Sequence, residues 1–168
     1  MKKTVIKYGT YGALAICVLF LISWFILNDL PLSTQEFLGY LSMILSLGFV
    51  FFGIKYYRDK ENEGKVSFKN ALIIGVLISL ITALVFGVLD VVYTEVLNPD
   101  FMDNYYSETL KTMEETMPAE EFQLKKVEME TQKELFANPV MTFVFMALTV
   151  FVIGFIISLL SALVLQRK

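Results

Sequence analysis

Asp90, Thr94 and Glu95 fall within VFGVLDVVYTEVLNPDF, Val85 to Phe101, where a long apolar stretch runs out. On a helix the first two are one turn apart and the third follows the second, so the set could serve a binding site or form the outer vestibule of a transport path. Depth weighs against chemistry. Counting from Ala71 at about 1.5 Å per residue puts Asp90 roughly 28 Å along its helix, at the far edge of a hydrocarbon layer about 30 Å thick. A carboxylate at the midplane is functional by default, whereas one at the interface reaches headgroups and water at little cost. At about 100° per residue Asp90 lies about 20° from Ala83, which turns it toward other helices rather than lipid. The expectation is a structural residue, hydrogen-bonded to Thr94 or to an outer-end group such as Ser42, with a binding role as the second reading.

Other chemistry is sparse. The 168 residues include no histidine and one cysteine, Cys17. Histidine-based proton transfer, Ser-His-Asp or Cys-His centres and histidine metal sites are therefore excluded from this chain, as is an internal disulfide. Cys17 lies within an apolar run, where a small packing residue is expected rather than a reactive thiol. The pairs Glu114/Glu115 and Glu120/Glu121 diverge on a helix and read as solvated charge. Neither a phosphate-cradling glycine loop nor a nucleic-acid stripe is present. The expectation is a chain that is not an enzyme, with no cofactor, no metal and no nucleic-acid partner.

The elements that must position these residues are legible from hydropathy. Apolar residues make up 56% of the chain, and its mean hydropathy is +0.62, too apolar for an ordinary soluble domain. They come in four runs of about 20 residues, each long enough to cross a bilayer as a helix: 8–27, 37–56, 71–92 and 140–165. The start, MKKTVIKYG followed by an apolar run, could also be a signal peptide, and LAIC at Leu14 to Cys17 a lipoprotein cleavage box. The run continues through LFLISWFIL with no small-x-small site, and Ile16 fits a lipobox poorly, so a retained first helix is expected.

Basic residues set the orientation. Lys2, Lys3 and Lys7 precede the first run, Lys55, Arg58, Lys60, Lys65 and Lys69 lie between the second and third, and Arg167 and Lys168 follow the fourth. NDLPLSTQE, after the first, has none. The positive-inside rule therefore predicts both termini and the middle connection to be cytoplasmic. Tyr8, Tyr11, Tyr56 and Tyr57 fall at the expected inner boundary, and Trp24, Tyr40 and Tyr93 near the outer one.

Small residues form the most regular pattern. Ala71, Gly75, Ser79, Ala83 and Gly87 recur every four residues, and Gly154, Ser158 and Ala162 repeat the device. Small side chains let helix backbones approach closely in lipid, where apolar burial does not drive association. Because the period exceeds 3.6, the stripe winds around its helix and should meet more than one partner. Packing is expected over pore lining, which would need strongly polar groups at mid-depth. In YYRDKENEGKVSFKN, Gly64 permits a turn and Ser67 is placed to cap the third helix.

Residues 98–138 are patterned rather than a plain linker. Met102, Tyr106, Leu110, Met113 and Met117 make one apolar helical face. Pro118 interrupts, and AEEFQLKKVEMETQKELF restarts as a second helix with acids in its first turn. There Phe122, Met129 and Phe136 lie on one side and Leu124, Val127 and Leu135 on the other. Asn138 and Pro139 look like the cap and first position of the fourth span. A cap on the bundle is favoured over a membrane-surface hairpin or a homodimer contact, because amphipathic periodicity of this length most often packs against the same protein; its acids also weaken attachment to anionic lipid.

The stretches FFGIKYYRDKENEGKVSFKNALIIG, Tyr93 followed by NPDF, the Met- and Glu-rich helices and IGFIISLLSALVLQRK together resemble the bacterial domain-of-unknown-function 4199 family. The resemblance covers nearly the whole chain. It implies a multi-helix inner-membrane protein, seen largely in Bacteroidetes-type bacteria, and carries over no activity, cofactor or catalytic residue. The expected fold is all-α: a single membrane domain, 1–168, built as a four-helix bundle with an extracytoplasmic helical hairpin between helices three and four. The expected partners are the lipid bilayer and a second copy or another membrane protein. A non-catalytic structural or interaction component is favoured over a small transporter or channel component acting as an oligomer.

Overall fold

The structure, a computed structural model, describes residues 1–27 and 30–167. Asn28 and Asp29 of the first connection and Lys168 of the basic C-terminus lie outside the described residues. Among the described residues there are six α-helices and no strands: α1 (Lys2–Ile26), α2 (Leu32–Tyr56), α3 (Phe68–Val92), α4 (Phe101–Thr116), α5 (Ala119–Phe136) and α6 (Pro139–Leu165). Five-residue π-helical turns, Tyr57–Glu61 and Tyr93–Leu97, extend α2 and α3.

Four of these segments are long and apolar enough to cross a membrane: Lys2–Ile26, Leu32–Glu61, Phe68–Leu97 and Pro139–Leu165. A helix of 25 residues, such as α1, rises about 37 Å, more than a hydrocarbon core of about 30 Å. Their outward side chains are apolar as well. Leu14, Val18, Ile44, Leu45, Leu148 and Phe155 are all exposed, an arrangement suited to lipid. The helices overrun the apolar runs at several ends. In particular, α2 begins at Leu32 rather than near 37, because Pro31 sits at its N-terminus and its carbonyl accepts the Thr34 and Gln35 N–H groups at 2.8 and 3.1 Å.

The chain divides into two compact units, Met1–Phe86 with Met146–Lys168, and Gly87–Phe145. In the first, α1 and α2 form an antiparallel pair whose ends are marked by the Tyr8 and Tyr56 rings, 5.6 Å apart, with Lys7 Nζ 4.7 Å from the Tyr56 ring centroid. Ile16, Leu47, Val50, Ile54, Ile74, Ile78, Phe86 and Val150 make its core. The α2–α3 connection turns through Glu63 and Gly64, at φ 53° and 81°. Ser67 Oγ then accepts the Asn70 N–H at 3.3 Å, capping the start of α3. Val66 and Arg167 exchange two backbone hydrogen bonds of 2.9 and 2.8 Å, and the Arg58 guanidinium donates to the Leu165 carbonyl at the end of α6.

In the second unit α4 and α5 form a hairpin broken at Pro118, which precedes α5. Met102, Tyr106, Leu110, Met113 and Met117 are all at least partly shielded, and Tyr106 is buried. On α5 the shielded side carries Phe122, Met129 and Phe136, while Leu124 (72% exposed), Val127 (63%) and Leu135 (43%) stay open. Asn138 Oδ1 accepts the Val140 N–H at 2.9 Å and so caps α6.

Candidate functional site

The small residues sit inside the first unit as two reciprocal contacts. Gly75 of α3 faces Ser158 of α6, and Gly154 of α6 faces Ser79 of α3: a Cβ built on Gly75 would fall 2.7 Å from the Ser158 Cβ, and one on Gly154 2.5 Å from the Ser79 Cβ. The Ser79 and Ser158 hydroxyls are 3.2 Å apart, and each also donates to the carbonyl four residues back, Gly75 and Gly154. Ala71, Ala83 and Ala162 are buried in the same unit. Glycines outside the four-residue pattern also mark close approaches. A Cβ on Gly12 of α1 would fall 2.6 Å from Thr82 Oγ1, and one on Gly9 the same distance from Ile81 Cδ1. Their spacing in YGTYG is the signal that a search for steps of four passes over.

The polar residues at the end of α3 belong to the second unit. Gly87 faces Phe143, whose ring and carbonyl would lie 2.9 and 3.0 Å from an added Cβ. Asp90 is 6% exposed, and its Oδ2 is buried with no hydrogen-bond partner among the described residues. The expected bonds to its carboxylate do not form at that oxygen. Thr94 Oγ1 donates instead to the backbone carbonyl of Asp90 at 3.0 Å, and Ser42 Oγ to the Leu38 carbonyl at 2.7 Å. Hydroxyls within helices have their own chain's carbonyl in reach, and that local acceptor wins. Thr94 is buried and Glu95 is exposed, so the three residues do not converge on one surface. Tyr93 is buried beside them, its hydroxyl accepting Asn98 Nδ2 at 3.0 Å and its ring 5.3 Å from that of Phe101.

A cleft of about 210 Å³ lies between α4 and α5, lined by Asp103, Tyr106, Leu110, Met129, Glu130 and Lys133 among others. Lys133 and Asp103 bridge it with an ion pair of 2.5 Å, and burial pushes the Tyr106 phenol up from its ordinary pKa. Among the described residues no three His, Cys, Asp or Glu side chains gather to hold a metal ion.

A model of a family of proteins of unknown function, DUF4199, matches residues 7–167. The chain belongs to the DUF4199 family. The match takes in every residue of both the small-residue contacts and the Asp90 turn, so these are features of the DUF4199 region itself. No curated protein and no solved structure matches this DUF4199 chain.

Proposed function

We propose that this DUF4199 protein is a non-catalytic, multi-pass component of the bacterial inner membrane that assembles with a second copy or with another membrane protein. The observation that carries the reading is the open apolar side of α5, Leu124, Val127 and Leu135, set opposite the side that packs in the hairpin. The small residues of α3 and α6 lie against one another within the chain, which leaves α5 as the surface for assembly. Both termini and the α2–α3 connection are cytoplasmic, and residues 98–138 are outside. Three contacts within the first unit support that orientation, because Met1 with Glu61, Lys7 with Tyr56 and Val66 with Arg167 gather the basic segments at one end. The test is photocrosslinking from position 127 in native membranes, read by mass spectrometry. A discrete adduct with a second copy or with one membrane protein is expected, and links confined to the chain's own helices would overturn the reading.

The second reading, a small transporter or channel component acting as an oligomer, is favoured by the unpartnered Asp90 Oδ2, since ionisable groups in spans mark transport paths. Proton or monovalent-cation flux in proteoliposomes, measured with the native chain and with Asp90→Asn, tests it. Flux that Asp90→Asn abolishes supports it, and no flux above empty liposomes sinks it.

A further inference from the structure

We propose that Asp90 is a proton-binding site: its carboxyl group is held at the end of α3 as the neutral acid. The inference goes beyond both functional readings, because it holds whether or not the chain assembles or carries a flux.

The Asp90 carboxyl group has a hydrogen-bonding demand that its surroundings leave unmet. Asp90 is withdrawn from solvent, and its Oδ2 receives no hydrogen bond among the described residues. The donors close to it in sequence are committed elsewhere. Thr94 gives its hydroxyl proton to the Asp90 and Val91 carbonyls at 3.0 and 3.4 Å, and Asn98 Nδ2 goes to the Tyr93 hydroxyl. No described cation pairs with it either. Of the four lysines in Gly87–Phe145, Lys125 is bonded to Glu128 at 2.7 Å and Lys133 to Asp103, Lys111 is exposed on α4, and Lys126, half-buried on α5, makes no ion pair with Asp90. Nor do the helices bring another charge: α6 has no ionisable residue along Pro139–Leu165, and α3 has only Lys69, at its opposite end, besides Asp90. On the adjoining turn the ionisable groups are Tyr93, hydrogen-bonded through its hydroxyl, and Glu95, exposed.

A lone ionised carboxylate in such surroundings bears a desolvation penalty that nothing nearby offsets, and such a group sheds its charge instead. Taking up one proton from water at a carboxylate oxygen does so without moving any other group. A hard cation would need several oxygen ligands at once. Thr94 Oγ1 is turned to backbone carbonyls and Glu95 is out in solvent, so the chain does not assemble such a set around Asp90.

The proposal is tested on the full chain in proteoliposomes with dicyclohexylcarbodiimide, an apolar reagent. The O–H of a neutral carboxylic acid adds across one of its C=N bonds, and the acyl group then migrates to nitrogen as a stable N-acylurea located by peptide mass spectrometry. At neutral pH, labelling is expected at Asp90 and not at the exposed Glu95, and to fall as pH rises. Suppression of labelling by sodium at constant pH and ionic strength would overturn the proton assignment in favour of a cation. Since a tight site could exclude the reagent, the infrared carboxylic-acid C=O band gives a second measurement. Its presence at neutral pH in the native chain and loss in Asp90→Asn support the proposal, and its absence from the native chain overturns it.

Discussion

The Ser79 and Ser158 hydroxyl oxygens meet at 3.2 Å across the α3–α6 contact, each with a glycine of its own helix one turn earlier facing the other serine. Volume, more than the hydrogen bond, governs this contact. Gly154→Val puts a branched Cβ where the Ser79 Cβ stands 2.5 Å away, and it should destabilise the fold by about 1–3 kcal/mol. Ser79→Ala should cost about 0.6 kcal/mol, because Ser158 keeps its 2.6 Å bond to the Gly154 carbonyl. Unfolding in mixed micelles followed by circular dichroism measures both. Combining Gly154→Ala with Ser79→Gly should recover part of the loss, a coupling that independent sites would not show.

At the α2–α3 turn, backbone conformation alone sets the expected cost. Gly64 has φ 81° with open space around its would-be Cβ, so Gly64→Ala should destabilise by about 1–2 kcal/mol through the left-handed backbone and nothing else. Glu63, at φ 53°, is the converse case. Glu63→Asn should leave stability unchanged or raise it by a few tenths of a kcal/mol, as asparagine tolerates that region. Thermal unfolding of the two variants side by side is the measurement, and equal losses would contradict the assignment.

Within the α4–α5 hairpin, packing should outweigh charge. Met129→Ala removes a side chain that is 7% exposed beside an existing cleft and should loosen the hairpin by about 2 kcal/mol or more. Lys133→Ala breaks a pair whose members are 49% and 68% exposed, and should cost less than about 1 kcal/mol, less still at high salt. Hydrogen exchange of the α4 and α5 amides ranks the two directly.

Tyr106 gives the hairpin a pH dependence of definite sign. Burial raises its phenol above the ordinary value of 10.0, which means the folded state favours the neutral ring. The associated stability is fully present below the unfolded-state value and is lost as pH rises through the higher folded-state value. Helicity of residues 98–138 should therefore fall on titration above about pH 10, and Tyr106→Phe should remove that component.

Much of the fold was legible because lipid-scale hydropathy runs and proline or asparagine caps are local signals, as at Pro118 and Asn138. The α4 face was legible too: Met102, Tyr106, Leu110, Met113 and Met117 keep one side at helical spacing, and each is shielded. On α5 the sequence offers two apolar sides of similar strength, and the choice of Met129 over Val127 depends on the shape of the α4 partner, which no local pattern contains. The π-helical turn Tyr93–Leu97 left no trace in residue type, since it is a matter of hydrogen-bond register, Asn98 N–H to the Tyr93 carbonyl. For Asp90 the helical angle indicated an inward face, and the residue is buried. What spacing did not reveal is that Thr94, one turn away, serves the backbone rather than the carboxylate.

The paired backbones of Val66 and Arg167 also have a meaning in time. Val66 emerges from the ribosome long before its partner exists, and its N–H and C=O groups find their bonds only after a further stretch of chain on the order of a hundred residues has been made. Four α-helices, α3 to α6, begin later than Val66 and earlier than Arg167. The bridge is therefore a late clasp: it closes a long loop, with the entropic cost that a loop of that length carries, on helices already in place. A nascent chain halted before Arg167 would leave Val66 without these two bonds, while the α2–α3 turn keeps its local bonds from the Gly64 and Lys65 N–H groups to the Arg58 and Asn62 carbonyls.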